Sequence, residues 1–517
     1  MTRDQLSELK RTVSAPLLPQ AAEPRIARLA GGFSAARAQG LDALLVIVPE
    51  RVTPQQLAKL PEAARWQKLH ARKPARAGTV RSTALANARQ TLAVLGYCRP
   101  EASAFEKLAL AGRMLKEASS GVTQSLGIAV LDGRAQVSLG LASLLAAALA
   151  QAFALPSYRS TRAPGGIASI VLSGNQPIDL AYARAAARGN NLVRWLTALP
   201  PNVLDARGYR RAIHTLCRGA GLSFSFLDER RLKRLGANAF LAVSAGNAAR
   251  NAGIAHLKYR PAGRRNARAE VALVGKGILF DTGGTNLKSH RSMLHMHIDM
   301  AGSAVALATL LALAELRAPI AADAWLAITD NRIGPTAYCP QEVVRAANGV
   351  TIQVIHTDAE GRMVLADTLA LAGRTRPRLM LDFATLTGAC VTALTERMSG
   401  VFTNRPALNE ALLAAGRASG ERVWSFPFDA DFDTDLESEV ADILQCAIEG
   451  KGDHILAARF LSRFVPAESA WAHVDLAAAQ RTGGLAHINT DITGFGVRYT
   501  LELLLGQKIL QRIRSRA

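Results

Sequence analysis

The stretch Val271-Ala-Leu-Val-Gly-Lys-Gly-Ile-Leu-Phe-Asp-Thr-Gly-Gly284 changes character after its fourth residue. Val271–Val274 reads as a short buried strand. The glycines that follow hold Lys276 and Asp281 just past that strand, where backbone can approach a ligand closely. A helical run comes next, at Ser303–Leu316. Strand, polar glycine-rich segment and helix make one unit of an α/β fold. Working outward, strand-like runs recur at Ala324–Ile328, Thr351–Ile355 and Leu379–Phe383, with a helical run at Met363–Ala372. Such alternation predicts a mostly parallel sheet covered by helices, with ligands bound beyond the carboxyl ends of its strands. Toward the N-terminus, strands are expected at Leu41–Val48 and Ile167–Leu172, and helices at Ala102–Ala118 and Leu139–Ala154. Pro177–Leu199 reads as one long helix, stopped by Pro200-Pro201. The expected architecture is α/β in two domains. A smaller N-terminal α/β domain spans 1–176 and a linker helix spans 177–199. A larger C-terminal domain, with a central mixed, mostly parallel sheet, spans 200–517.

The 517 residues are 49% hydrophobic and 20% charged, which excludes disorder for most of the chain. The five cysteines, at 98, 217, 339, 390 and 446, are scattered and form no CxxC pair. A disulfide framework and a cysteine zinc site are therefore not expected, and a reducing compartment is. Lys plus Arg outnumber Asp plus Glu by 62 to 41, a formal net charge of +21. Basic clusters occur at 72–76, 230–234, 260–268 and at Arg512, Arg514 and Arg516. They are dispersed and not interleaved with aromatics, so a solvated arginine-rich surface is favoured over a dedicated nucleic-acid face. The N-terminus has no apolar core of a signal peptide, and Asp4 and Glu8 argue against a transit peptide. Ala135–Tyr158 is uncharged, but its Ala-rich composition and Pro156 suit a buried helix better than a membrane span. The expectation is a soluble, cytoplasmic protein with no membrane partner.

Acidic residues gather around the predicted strand ends. In His356-Thr-Asp-Ala-Glu-Gly-Arg362, Asp358 and Glu360 alternate, so in an extended loop both carboxylates can face one side. Asp299 precedes the helix at Ser303, and Lys288 lies between Asp281 and Asp299. Several acids at one place repel one another unless cations neutralise them, and two divalent metals would do so. Oxygen ligands suit Mg²⁺, Mn²⁺ and Zn²⁺ alike. The spacing of residues is not that of a P-loop or of GxGxxG. His290, His295 and His297 form a competing ligand set, but their spacing fits no closed zinc site.

VGKGILFDTGG (274–284), the lysine of TNLKS (285–289), the aspartate of HIDMAG (297–302) and HTDAEGR (356–362) together resemble the leucyl, or cytosol, aminopeptidases, the M17 metallopeptidases. LDFATLTGACVTAL (381–394), SGERVWSFP (419–427) and WAHVDLA (471–477) extend the resemblance, which runs from about residue 190 to the C-terminus. It implies a two-metal aminopeptidase that hydrolyses N-terminal residues, Leu or Met preferred, from short peptides by way of a metal-bridging water. The metals would be Mn²⁺ or Zn²⁺, with Mg²⁺ or Co²⁺ as alternatives. Lys276, Asp281, Asp299 and Glu360 would hold one ion, and Asp281, Asp358 and Glu360 the other. Lys288 would stabilise the oxyanion, and Arg362 would hold a bicarbonate that shuttles the proton. Met296, Thr385, Gly388 and Ala477 would surround the first side chain, and Leu386 would offer backbone contacts. The resemblance also implies a homohexamer with its sites facing an interior cavity.

The chain departs from the family pattern at several positions. His356 stands where the family has Asn, Leu294 where it has an acid, and Gln480 where it has an apolar pocket residue. Asp330-Asn331-Arg332 replaces Glu-Asn-Met, and Asp475-Leu-Ala-Ala478 replaces Asp-Ile-Ala-Gly. None of these removes an expected metal ligand or either catalytic cation. Two alternatives remain: a DNA-binding or regulatory protein on the same fold, for which the +21 charge speaks, and an inactive scaffold.

Overall fold

The computed structural model describes residues 16–513 except 21, 73, 120, 132–136, 162–164 and 175–176. Asp4, Glu8, Lys73, Pro164, Arg514 and Arg516, the first residues of the Ala135–Tyr158 stretch, and the ends of the 1–176 and 200–517 segments lie outside the described residues.

Two large sheets organise the chain, and the strand expected at Thr351–Ile355 lies outside both, as Thr351–Gln353 in a third, small sheet with Val343–Arg345 and Ile443–Leu444. The first has six strands in the order Arg25–Leu29, Ser169–Ser173, Ser125–Val130, Ala43–Pro49, Leu92–Cys98 and Val80–Ala84. All neighbours are parallel except the last pair. Its central strand shows why the sequence folds this way. Leu45 and Ile47 face helices Ala104–Ala118 and Val137–Gln151, while Leu44, Val46 and Val48 face a second cluster around Trp66. Period-two alternation with apolar residues on both faces requires cover on both sides.

Helix Leu180–Ala198 follows. Asp179 caps it by accepting from the Tyr182 N–H, and Leu199 turns extended ahead of Pro200. The second sheet has eight strands, in the order Val423–Ser425, Ser399–Thr403, Ala470–Asp475, Leu379–Ala384, Val271–Asp281, Ala322–Asn331, Gly253–Tyr259 and Ser223–Asp228. Val271–Asp281 sits in the middle, parallel to both neighbours. Antiparallel pairs lie toward both edges, so the sheet is mixed. Val271 and Leu273 pack with helix Ala301–Glu315 on one face. Ala272 and Val274 pack with helix Glu360–Gly373 on the other. Residues 290–315 contain an 18-residue stretch apolar enough to cross a membrane, but 78% of that stretch is buried inside the protein, as in a core helix. The basic runs are partly engaged internally: Arg260 pairs with Asp323 at 2.7 Å and Arg264 with Glu270 at 3.0 Å.

Candidate metal centre

The central strand runs to Asp281 rather than ending at Val274. Lys276 and Asp281 therefore lie within it, not past it. In a regular strand, residues five apart point to opposite faces. Here the register against Ala322–Asn331 shifts between Ile278, opposite Thr329, and Asp281, opposite Asn331. Three steps on one strand are matched by two on the other, and this bulge returns Asp281 to the face of Lys276. Glu360 is also not in an extended loop. It opens helix Glu360–Gly373, and Asp358 sits in the turn before it. Asp299 closes the short helical turn Met296–Ile298, just before helix Ala301–Glu315.

Two lysines hold these acids together. Lys276 Nζ lies 2.8 Å from Asp299 Oδ1 and 3.0 Å from Glu360 Oε1, and it donates to the Thr385 carbonyl at 3.0 Å. Lys288 Nζ lies 2.8 Å from Asp281 Oδ2 and 2.5 Å from Asp358 Oδ1. The Lys288 loop is tied to the Asp358 loop through buried Thr357. Its Oγ1 donates to the Gly283 carbonyl at 2.7 Å, and its N–H donates to Asn286 Oδ1 at 2.9 Å. Asn331 Nδ2 donates to Asp281 Oδ1 at 2.8 Å.

Four carboxylates against two ammonium groups leave the cluster short of positive charge. Burial, and then the charge of Asp281, pushes the Glu360 carboxyl up to about 8. Burial raises Asp299 to about 6 against the pull of Lys276, and it lifts Asp358 above the ordinary carboxylate range. Burial also works against both ammonium groups, but the acids outweigh it. Asp299, Glu360 and Asp281 hold Lys276 above its usual range, and Asp281 and Glu360 do the same for Lys288. Asp299 Oδ2 is buried with no hydrogen-bond partner. One oxygen from each of Asp281, Asp358 and Glu360 lies within 4.8 Å of the others. Buried, oxygen-rich and incompletely satisfied, this donor set fits divalent cations. Among the described residues, the three histidines at 290, 295 and 297 belong to no such group.

A model of the cytosol aminopeptidase family, catalytic domain, matches residues 191–501. The chain belongs to the cytosol aminopeptidase family. Its class is that of the metallo-aminopeptidases. The probable cytosol aminopeptidase of Syntrophotalea carbinolica is 40% identical over 323 residues, 62% of this chain and 64% of that one, just under two thirds of the relative's length. The probable cytosol aminopeptidase of Synechococcus sp. (strain CC9605) is 36% identical over 437 residues, 82% of this chain and 88% of that one. Among solved structures, the bottromycin maturation enzyme BotP in complex with Mn superposes with a TM-score of 0.80 at 30% identity, covering 91% of this chain and 100% of that one. A tomato leucine aminopeptidase mutant shares the fold with a TM-score of 0.81 at 24% identity, covering 95% of this chain and 98% of that one.

In this member of the cytosol aminopeptidase family the acids and lysines open onto a cavity of about 880 Å³. Met296, Thr385, Leu386, Gly388, Ala477, His356 and Gln480 all line it, whereas Leu294 is exposed and does not. Thr385 Oγ1 donates to Asp299 Oδ1 at 2.7 Å. The Leu386 N–H is engaged by Asp475 Oδ1 at 3.1 Å, which leaves its carbonyl as the backbone contact on offer. Arg362, on the first turn of helix Glu360–Gly373, is fully buried. Its Nη2 donates to both carboxylate oxygens of Asp453, at 2.7 and 2.8 Å, and its Nη1 donates to the Gln445 carbonyl at 3.2 Å. An ion on Arg362 would thus meet a guanidinium already engaged. Asp453, and the hydrogen bond of Asn331 to Asp281, add to the site residues expected from the sequence.

Gly361 marks how closely the cluster is packed. A Cβ there would lie 2.6 Å from Lys276 Cε and 2.7 Å from its Nζ. Gly361→Ala is expected to displace Lys276, lowering unfolding free energy by about 1–3 kcal/mol and weakening metal uptake. Urea unfolding and a metal titration of the variant check both effects.

Proposed function

We propose that this protein is a two-metal aminopeptidase that removes N-terminal residues, Leu or Met preferred, from short peptides. The observation that carries the reading is the cluster of Asp281, Asp299, Asp358 and Glu360 around two lysines, with the Asp299 Oδ2 unsatisfied, at the edge of a substrate-sized cavity. Lys276, Asp281, Asp299 and Glu360 would hold one ion, and Asp281, Asp358 and Glu360 the other. The ions, Mn²⁺ or Zn²⁺ with Mg²⁺ or Co²⁺ as alternatives, would supply Lewis acidity to the scissile carbonyl and lower the pKa of a water. To serve as a ligand Lys276 would have to give up its proton, so metal uptake would release protons. With ions neutralising Asp281 and Asp358, Lys288 would be available to donate to the oxygen that gains negative charge. Met296, Thr385, Gly388 and Ala477 shape the pocket for the first side chain, and the Leu386 carbonyl accepts from the substrate backbone.

The reading includes the division into residues 1–176, a linker helix 177–199 and a catalytic segment 200–517, which the separate six- and eight-stranded sheets support. It also includes a homohexamer and a cytosolic location, the latter supported by the names of the relatives. The test is hydrolysis of a panel of aminoacyl anilides and of Leu-Gly by metal-stripped protein, with each metal restored in turn. The expected result is metal-dependent release, with Leu and Met substrates ahead of shorter side chains by about 10–200-fold per methylene. Folded protein that hydrolyses nothing with any of the four metals would refute the proposal.

A further inference from the structure

Another wall of the cavity is built by residues 446–453. Gly450 and Gly452 both take left-handed φ, +66° and +63°, which L side chains resist. The turn they form delivers Asp453 as the first residue of helix Asp453–Ser462, an end that favours negative charge. Arg362 grips that carboxylate from below. The guanidinium is buried, at 2% side-chain exposure, whereas the Asp453 side chain keeps 25% and lines the cavity. Arg362 Nε is buried and has no partner, and its other two nitrogens are engaged. Seven other carboxylates line the cavity, Glu396 of the turn Thr395–Arg397 among them, but the one Arg362 pairs with is Asp453. Four belong to the metal cluster. Asp475 accepts from the Leu386 N–H and the Thr387 hydroxyl, and Asp491 accepts from the Gly483 N–H.

We propose that Asp453 is the proton-transfer residue of the hydrolysis, a built-in carboxylate occupying the place on Arg362 where an exogenous bicarbonate would otherwise bind. This rests on the aminopeptidase reading. As the water oxygen bonds to the scissile carbonyl carbon, one water proton passes to Asp453. As the C–N bond breaks, the same proton passes to the departing amine nitrogen, which regenerates the carboxylate. The second water proton stays with the newly formed carboxyl group, so the step needs no further reactant. Arg362 is then a positioning residue, holding Asp453 against the cavity.

The experiment uses the full chain with Asp453→Ala and Asp453→Asn. In the Mn²⁺-loaded enzyme, both variants are expected to lose about 10²–10⁴-fold in kcat, with KM little changed, because a general base contributes on that scale. Added bicarbonate or formate is expected to restore Asp453→Ala but not Asp453→Asn, whose amide still fills the place against Arg362. Wild-type turnover should not respond to bicarbonate. An independent readout uses metal-free protein and ¹³C-bicarbonate NMR, where only Asp453→Ala should broaden the signal. Wild-type protein that broadens the signal or is stimulated by bicarbonate, or variants that keep the wild-type kcat, would overturn the proposal. Wild-type protein with no turnover under any metal would refute the aminopeptidase reading instead. The bicarbonate spectrum alone would then decide whether Asp453 fills the anion place.

Discussion

Glu360→Ala is expected to lower kcat/KM for a leucyl anilide by at least about 10³-fold. That exceeds the loss from deleting a single preorganised donor, because this carboxylate is assigned to both ions. The same substitution has an unusual stability signature. Glu360 is pushed up to about 8 by burial and by Asp281, from the ordinary glutamate value of 4.5. Between those values the folded metal-free protein binds more protons than the unfolded chain. Stability therefore falls as pH rises from about 4.5 to about 8. Thermal melts of metal-free wild type across that window should show the fall, and Glu360→Ala should show a smaller one. Mn²⁺ should raise the wild-type melting temperature strongly and that of the variant little. A variant that keeps wild-type activity would remove Glu360 from the metal site.

Lys276→Met is expected to destabilise the metal-free protein by about 3–5 kcal/mol, the scale of removing one partner from a buried ion pair. The side chain is 4% exposed and neutralises Asp299 and Glu360 together, so its loss strands two carboxylates in the interior. Lowering the pH should shrink the penalty, because Asp299 and Glu360, already raised to about 6 and about 8, can then protonate. Divalent metal should recover part of the stability, since an ion can take over the neutralising role, while activity stays low. Urea unfolding at pH 5 and pH 8, with and without Mn²⁺, checks each statement.

Much of the site is legible because its chemistry follows strand ends in an α/β fold. The acids of residues 356–362, together with Lys276, Asp281, Lys288 and Asp299, can be picked out by type and position. The structure brings all of them to one cavity. What could not be read is how Lys276 and Asp281 share a face. Five residues apart, they point oppositely in a regular strand, and only the bulge opposite Thr329 and Asn331 reconciles them. The start of the helix at Glu360 was hidden for a similar reason. Its cap residue, Ala359, makes no side-chain hydrogen bond, so no Ser, Thr, Asp or Asn announces it. Asp453 lies 91 residues from Arg362 along the chain, and a lone Asp after glycines reads as a turn. The signal that could have found it is Gly450-Lys-Gly-Asp453 itself, a glycine pair that sets up a helix start.

The most direct test of the account is a titration of metal-stripped protein with Mn²⁺ while Leu-Gly hydrolysis is followed. Turnover is expected to be absent without metal and to rise until it saturates at two equivalents per chain. Turnover by rigorously metal-free protein, or folded protein that stays inactive beyond two equivalents, would contradict it. The second outcome would also move the DNA-binding and scaffold alternatives to the front.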